Sequence, residues 1–141
     1  MKLHLHQNDL PAGLDFGDTV AVDTETMGLD VPRDRLCLVQ LSAGDGVCHL
    51  VQFPSGHYDA PNLKALLGDP NILKLFHFAR FDLAVIQHYL RVMCRPVYCT
   101  KIASRLVRTF TDRHGLKDLC REVLGVDLSK QMQSSDCVMF R

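Results

Sequence analysis

The stretch that decides the fold is Val20-Ala21-Val22-Asp23-Thr24-Glu25-Thr26-Met27-Gly28-Leu29. Its β-branched and apolar residues predict a strand, and the glycine near its end predicts a turn. Because side chains alternate across a strand, Asp23 and Glu25 are expected to share one face. Two carboxylates this close repel each other, and a hard divalent cation such as Mg²⁺ or Mn²⁺ relieves the repulsion. A pair of acids on a solvated strand end is the plainer alternative that the pattern leaves open.

The composition is typical of a globular domain. The chain has 141 residues, of which 47% are hydrophobic and 23% are charged, so we expect one domain over residues 1–141. No run of residues approaches the length of a membrane helix, and the first residues lack the apolar core of a secretory signal. We therefore expect a cytoplasmic protein that does not associate with a membrane. The six cysteines have no Cys-x-x-Cys spacing and are expected to stay reduced.

Charge is divided unevenly along the chain. Residues 1–73 hold four Lys/Arg and ten Asp/Glu, whereas residues 74–141 hold twelve Lys/Arg and six Asp/Glu. An acidic half with a metal-type carboxylate pair, beside a basic half, suits a phosphate-bearing substrate held on a cation. Solvated charged faces are the alternative.

The remaining pattern predicts a mixed α/β fold with a five-stranded sheet flanked by helices. Residues 1–17 show little periodicity and are expected to be a leader; His4 and His6 alternate there, but without a third ligand we expect no metal site. The Ala43-Gly44-Asp45-Gly46 turn predicts an antiparallel meander, and parallel strands follow it. The expected later strands are 36–42, 47–51, 72–77 and 97–99, and the expected helices are 62–67, 81–90, one from Thr100, and 116–124.

A second informative stretch is His77-Phe78-Ala79-Arg80-Phe81-Asp82. A strand is expected to end at His77, and Asp82 then falls in the first turn of the next helix, where the helix dipole favours a carboxylate. An aspartate at a helix start is often no more than that. Together with the first pair, however, Asp82 supplies a third carboxylate at the carboxyl edge of the sheet.

With both stretches in place, the sequence resembles the DEDD (DnaQ-like) superfamily of 3′-to-5′ exonucleases, and most closely ribonuclease D-like proteins. Residues 22–29 resemble the first motif and 77–82 the second, within a similarity that covers about 18–136. The resemblance implies a ribonuclease H-like three-layer fold that hydrolyses RNA from a single-stranded 3′ end. It also implies two divalent ions, Mg²⁺ or Mn²⁺, about 3.5 to 4 Å apart, with Asp23, Glu25 and Asp82 as catalytic residues and metal ligands.

The resemblance also implies contacts with the nucleic acid. Thr26, Leu29 and Phe81 would lie against the terminal nucleotide, and His77 belongs to the same surface. Lys101 and Arg105 are spaced to share one helix face that follows the phosphates, with Arg108 one turn further. Core packing for Leu29 and Phe81, and a solvated helix face for the basic residues, remain open.

The resemblance breaks at the end of the sequence. The family has a fourth acid in a third motif, some tens of residues after a Ser-Asp-Trp segment. This sequence reads Ser135-Asp136-Cys137-Val138-Met139-Phe140-Arg141 and has no third motif. We therefore expect a C-terminally truncated core with a divergent end over 137–141. Asp136 is a weak substitute for the fourth acid, and the uncovered apolar surface would favour a partner or a homo-oligomer.

Three functions are left open by the sequence. The first is a metal-dependent 3′-to-5′ exoribonuclease. The second is a catalytically impaired remnant that binds nucleic acid or a partner protein through the same groove. The third is a DNA-directed, proofreading-type exonuclease, because the contact that distinguishes ribose from deoxyribose cannot be read from sequence.

Overall fold

The computed structural model describes residues 2–128, which form one six-stranded sheet with four helices. The strands are β1 Lys2–Gln7, β2 Thr19–Thr26, β3 Leu36–Ser42, β4 Val47–Gln52, β5 Leu73–Phe76 and β6 Val97–Cys99. The helices are α1 Pro61–Gly68, α2 Ala79–Tyr89, α3 Thr100–Val107 and α4 Leu116–Leu124.

The sheet has the order β1-β4-β3-β2-β5-β6. Strands β2, β3 and β4 form the predicted antiparallel meander, and β5 and β6 then add in parallel beside β2. The mixed sheet, with the meander first and the parallel strands second, is confirmed. Strand β2 lies inside the sheet: β3 pairs with it from Ala21 to Thr26, whereas β5 pairs only with its first residues, Thr19–Ala21.

The predictions of five strands and of an irregular leader over residues 1–17 are wrong. Residues 2–7 form β1, which pairs in parallel with β4 at the edge of the sheet. The apolar residues of β1 point outward, since Leu3 and Leu5 are 59% and 53% exposed. The histidines His4 and His6 occupy the inward positions, packed beside His49 of β4. The alternation of Leu3 and Leu5 with His4 and His6 is short, and it places the apolar side chains on the exposed face, opposite to the usual pattern of a half-buried strand.

The main core lies on one face of the sheet. Val20 and Val22 of β2 are buried there against α1 and α2. On the opposite face of β2, Ala21 and Asp23 are exposed. The core side chains contributed by the two helices are Leu63, Leu67, Val85 and Ile86.

Helices α3 and α4 carry much of the exposed apolar surface. The helix predicted over 116–124 is present as α4 and ends at left-handed Gly125, but none of its residues is buried. The homo-oligomer expected from such surface stays a prediction. In the described part of the chain, no helix has both the length and the apolar content needed to cross a membrane.

Candidate active site

The carboxylates of β2 share one face of the strand, as predicted. Burial alternates along β2: Val20, Val22 and Thr24 are buried, whereas Asp23 is exposed and Glu25 is half-buried. The backbone pairing of β2 with β3 continues up to these residues and shifts only between Glu25 and Thr26. The sheet therefore holds both acids from one rigid strand.

Gln40 of β3 links the two acids and was not predicted as a site residue. It lies directly opposite Asp23 in the antiparallel register. Its side-chain amide donates to Oδ2 of Asp23 and to Oε1 of Glu25, both at 3.4 Å. The available signal was its position as a polar residue inside the apolar run Leu36–Leu41. The amide shows that the two carboxylates converge on one donor.

Asp82 reaches β2 from the first turn of α2. It is only 5% exposed, and its Oδ1 accepts hydrogen bonds from the Thr24 backbone N–H at 3.0 Å and from the Thr24 hydroxyl at 2.7 Å. Thr24 stands between the two acids in the sequence. The structure thus places Asp82, from a segment 58 residues away, against the residue between Asp23 and Glu25.

The pKa values of all three carboxyl groups are raised, by burial first and at Glu25 and Asp82 also by a neighbouring charge. Burial raises the pKa of Asp23. Burial, followed by the charges of Asp23 and Asp82, raises the pKa of Glu25. Burial raises the pKa of Asp82 to about 6; the charge of Asp23 adds to this effect and the hydrogen bonds from Thr24 oppose it. The charge effects at Glu25 and Asp82 place these two groups within electrostatic reach of their acidic neighbours.

The donor set fits a hard divalent cation. Carboxylate oxygens are the ligands that Mg²⁺ and Mn²⁺ prefer, and a cation would relieve the repulsion among Asp23, Glu25 and Asp82. As placed, Asp23 and Glu25 contact the Gln40 amide, and Asp82 Oδ1 contacts Thr24. Among residues 2–128, no three acidic, histidine or cysteine side chains are already in coordinating positions. The carboxylates would therefore have to exchange these partners for the ion.

The predicted contacts with the terminal nucleotide divide into exposed and packed residues. Leu29 is 84% exposed, so core packing is excluded for it. Phe81 is partly buried and packs against the core. The Thr26 hydroxyl donates to the Gly28 carbonyl, so its contact is within the turn after β2.

The turn that carries Leu29 is built around Asp34. Asp34 accepts from the Asp30 backbone N–H at 2.9 Å and pairs with Arg33 at 2.7 Å. The hydrogen bond from Arg33 lowers the pKa of Asp34 to about 2. Gly28 passes so close that a Cβ there would lie 2.3 Å from Asp34 Oδ2. Glycine at this position therefore lets the turn close with Leu29 outward.

His77 and Thr100 join the ends of β5 and β6. The Thr100 hydroxyl donates to the Phe76 carbonyl at 3.1 Å, so its oxygen accepts from His77 Nδ1 at 2.9 Å. Burial, and then the charge of Lys101, lower the pKa of His77. A neutral ring with its Nδ1–H committed to Thr100 leaves Nε2 as an acceptor.

The basic face predicted on α3 is only partly present. Lys101 is half-buried and Arg105 is exposed. Arg108, one turn further, instead forms an ion pair with Glu122 and donates to the Arg113 carbonyl at 3.0 Å. Lys101 and Arg105 remain candidates for phosphate contact. Asp136 and the divergent end over 137–141 lie outside the described residues.

Comparisons with known proteins agree with this geometry. A family model described as 3′-5′ exonuclease matches residues 7–138. Ribonuclease D of Gluconacetobacter diazotrophicus is 32% identical over 117 residues, covering 83% of this chain and 29% of the relative. The chain thus spans about three tenths of the length of that curated relative.

Solved structures show the same fold. Brucella melitensis NrnC is 56% identical with a TM-score of 0.91, covering 97% of this chain and 67% of NrnC; it has also been solved with bound Mg²⁺ and bound to pGG. Escherichia coli RNase D is 27% identical with a TM-score of 0.70, covering 86% of this chain and 32% of RNase D. The expected ribonuclease H-like exonuclease fold is confirmed, with six strands in place of five. The chain belongs to the 3′-5′ exonuclease family, within the DEDD superfamily that includes ribonuclease D and NrnC.

Proposed function

We propose that this chain hydrolyses RNA from the 3′ end with two divalent metal ions, Mg²⁺ or Mn²⁺, held by Asp23, Glu25 and Asp82. The observation that carries the proposal is the double hydrogen bond from Thr24 to Asp82. This contact ties the acid of α2 to the strand that bears the other two. The proposal is supported by the raised pKa values of these three carboxyl groups, two at the end of β2 and one in the first turn of α2.

The ions, when bound, would activate water and stabilise the charge that develops on the phosphate and on the leaving oxygen. Asp23, Glu25 and Asp82 would hold these ions. Thr24 fixes the Asp82 carboxylate, and Gln40 holds Asp23 and Glu25 in line before an ion binds. Leu29, exposed on its turn, offers apolar surface to a base at the strand end.

RNA is proposed as the substrate because relatives carry the name ribonuclease D and because Brucella melitensis NrnC was solved bound to pGG. His77, Lys101 and Arg105 are proposed to contact the strand, and Phe81 to support the terminal nucleotide from the core side. DNA is the other possible substrate. The exonuclease assay described next compares RNA and DNA directly.

The test is an exonuclease assay on 5′-labelled single-stranded RNA and DNA of the same sequence, with Mn²⁺ and with EDTA. We expect stepwise shortening from the 3′ end that requires Mn²⁺, is faster on RNA, and disappears in Asp23→Ala. Asp112→Ala, at an exposed aspartate in the loop before α4, is the matched control and should shorten RNA as the unmodified chain does. Equal shortening by Asp23→Ala would contradict the proposal.

A second candidate is a non-hydrolytic nucleic-acid-binding protein. The observation in its favour is that residues 2–128 contain no preformed three-residue metal cluster. It predicts that the folded chain binds RNA but does not shorten the strand when Mn²⁺ is present. Binding to a partner protein through the same groove would instead leave RNA affinity absent.

A further inference from the structure

Phe78 has an unusual conformation for an aromatic residue. It joins β5 to α2 with φ 68° and ψ 48°, in the left-handed region. Bulky side chains rarely adopt this region, where glycine and asparagine are favoured. Such an outlier persists only where the surrounding structure imposes it, and it often accompanies function. The ring is also 49% exposed, so packing in the core does not explain its presence.

A lysine is held over this ring. The Lys101 ammonium lies 4.3 Å from the Phe78 ring centroid, a cation–π contact. Lys101 stands in the first turn of α3, directly after β6, and β6 pairs with β5 through Phe76 and Cys99. The hydrogen bonds of Thr100 to Phe76 and His77 fix this junction. The two side chains therefore meet because the sheet edge positions the starts of α2 and α3 together.

The pair lies at the same end of α2 as the acid site. Phe78 is the residue before α2, and Asp82 lies in the first turn of that helix. Within residues 2–128, Lys101 forms no ion pair with a carboxylate. An exposed aromatic ring with an uncompensated cation beside it is suited to a nucleotide unit, since every base has a face to stack and every unit carries a phosphate.

We propose that Phe78 and Lys101 form a nucleotide-binding platform beside the acid site. The Phe78 ring stacks on a base of the strand, and Lys101 contacts a phosphate of the same strand. This proposal rests on the proposed function, because the strand end must reach the carboxylates. The platform adds a specific stacking residue, Phe78, to the proposed function. Stacking accepts any base, so the platform contributes affinity without base-sequence preference.

The decisive variant is Phe78→Asn, because asparagine tolerates the left-handed conformation while the ring is lost. We expect KM for Mn²⁺-dependent RNA shortening to rise by about tenfold, with kcat unchanged, which marks the loss of uniform binding. Phe78→Tyr keeps the ring and should keep KM. Lys101→Met should raise KM and reduce the slope of log KM against log salt by about 0.7, one phosphate contact on a single strand.

A matched control is Phe110→Asn. Phe110 is 80% exposed and has Arg108 at 5.7 Å from its ring, but it follows α3 instead of preceding α2. Its loss should leave KM unchanged. A strand with abasic residues near the 3′ end separates stacking from folding effects: it should bind the unmodified chain more weakly, and Phe78→Asn should add no further loss.

The outcomes separate the two proposals. If Phe78→Asn keeps the unmodified KM while Asp23→Ala abolishes shortening, the platform is wrong and the proposed function stands. If Phe78→Asn raises KM equally for intact and abasic strands, base stacking is also contradicted. If the unmodified chain shortens no strand at all, the proposed function fails, and the affinity for intact and abasic RNA then tests the platform by itself: equal affinity of the unmodified chain and Phe78→Asn would contradict it.

Discussion

Thr24 donates two hydrogen bonds to one carboxylate oxygen of Asp82, one from its backbone N–H and one from its hydroxyl. Both groups are buried. The residue between the two acids of β2 thus also holds the third acid, although its side chain lies on the opposite face of the strand. In Asp23-Thr24-Glu25, the two acids thus lie on one face of the strand, and Thr24 binds Asp82 from the other.

Removing the hydroxyl should weaken this contact while preserving the strand. Thr24→Val keeps the branched shape, but it leaves Asp82 Oδ1 with the backbone donor alone. We expect the free energy of unfolding to fall by about 1 to 3 kcal/mol and the pKa of Asp82 to rise further, because the side-chain hydrogen bond opposes its increase. Urea unfolding measures the first effect. Thr24→Ser keeps the hydroxyl and should lower the free energy of unfolding much less. Equal decreases in the two variants would assign the effect to packing.

Asp82 should make the metal-free protein less stable as the pH rises. Its pKa is raised from 3.8 to about 6 in the folded state, so between these values the native state binds more protons than the unfolded state. The free energy of unfolding therefore decreases as pH increases through this window, and protonated Asp82 is the stabilising form. Asp82→Asn should reduce this slope, leaving the part due to Asp23 and Glu25, and add on the order of 1 to 3 kcal/mol at pH 7 in EDTA.

The measurement is urea unfolding from pH 4 to 8 in EDTA. Asp112→Asn serves as the exposed control. Mn²⁺ should reverse the destabilisation in the unmodified chain, since an ion that binds only the folded state stabilises it. A slope that is as steep in Asp82→Asn as in the unmodified chain would assign the pH dependence to another group.

Gly28 should tolerate no side chain while Asp34 is in place. A Cβ at residue 28 would lie 2.3 Å from Asp34 Oδ2, and Asp34 is held by Arg33 and Asp30. We expect Gly28→Ala to cost about 1 to 3 kcal/mol in the free energy of unfolding. Removing the obstruction with Asp34→Ala in the same chain should make the double variant less costly than the sum of the two single changes. Additive costs would contradict the close approach.

The histidines of β1 and β4 should loosen the sheet edge in acid. His6 Nε2 and His49 Nδ1 are 2.9 Å apart, and the ring centroids of His4 and His49 are 5.4 Å apart. Burial and neighbouring imidazoles lower the pKa of His6 and of His49, while Asp45 partly opposes the shift at His49. A lowered histidine pKa means that stability is lost as the pH falls below about 6.5.

Hydrogen exchange of the β1 amides, compared at pH 7.5 and pH 5.5 after correction for intrinsic rates, tests this. Protection of residues 2–7 should decrease in acid relative to β3. His6→Gln keeps a hydrogen-bonding group without the charge and should reduce the effect. Unchanged protection of β1 across this range would contradict it.

The sequence was sufficient for the parts of the fold and site that local chemistry determines. The alternation of Asp23 and Glu25 follows from strand geometry, and Asp82 follows from its helix start. Gln40 was not predicted, because cross-strand register depends on the turn between strands and on the bulge after Glu25. Phe78 was not predicted either, because nothing in its neighbours indicates a left-handed aromatic residue. Strand β1 was missed because its inward positions are histidines.

The central claim is that Asp23, Glu25 and Asp82 form one site for divalent metal ions. The most direct measurement is calorimetric titration of the metal-free chain with Mn²⁺, with Asp23→Asn, Asp82→Asn and the control Asp112→Asn measured alongside. We expect two ions to bind the unmodified chain and the control, and both site variants to lose binding, with protons released as the carboxyl groups ionise. Unchanged Mn²⁺ binding by Asp23→Asn and Asp82→Asn would contradict the site.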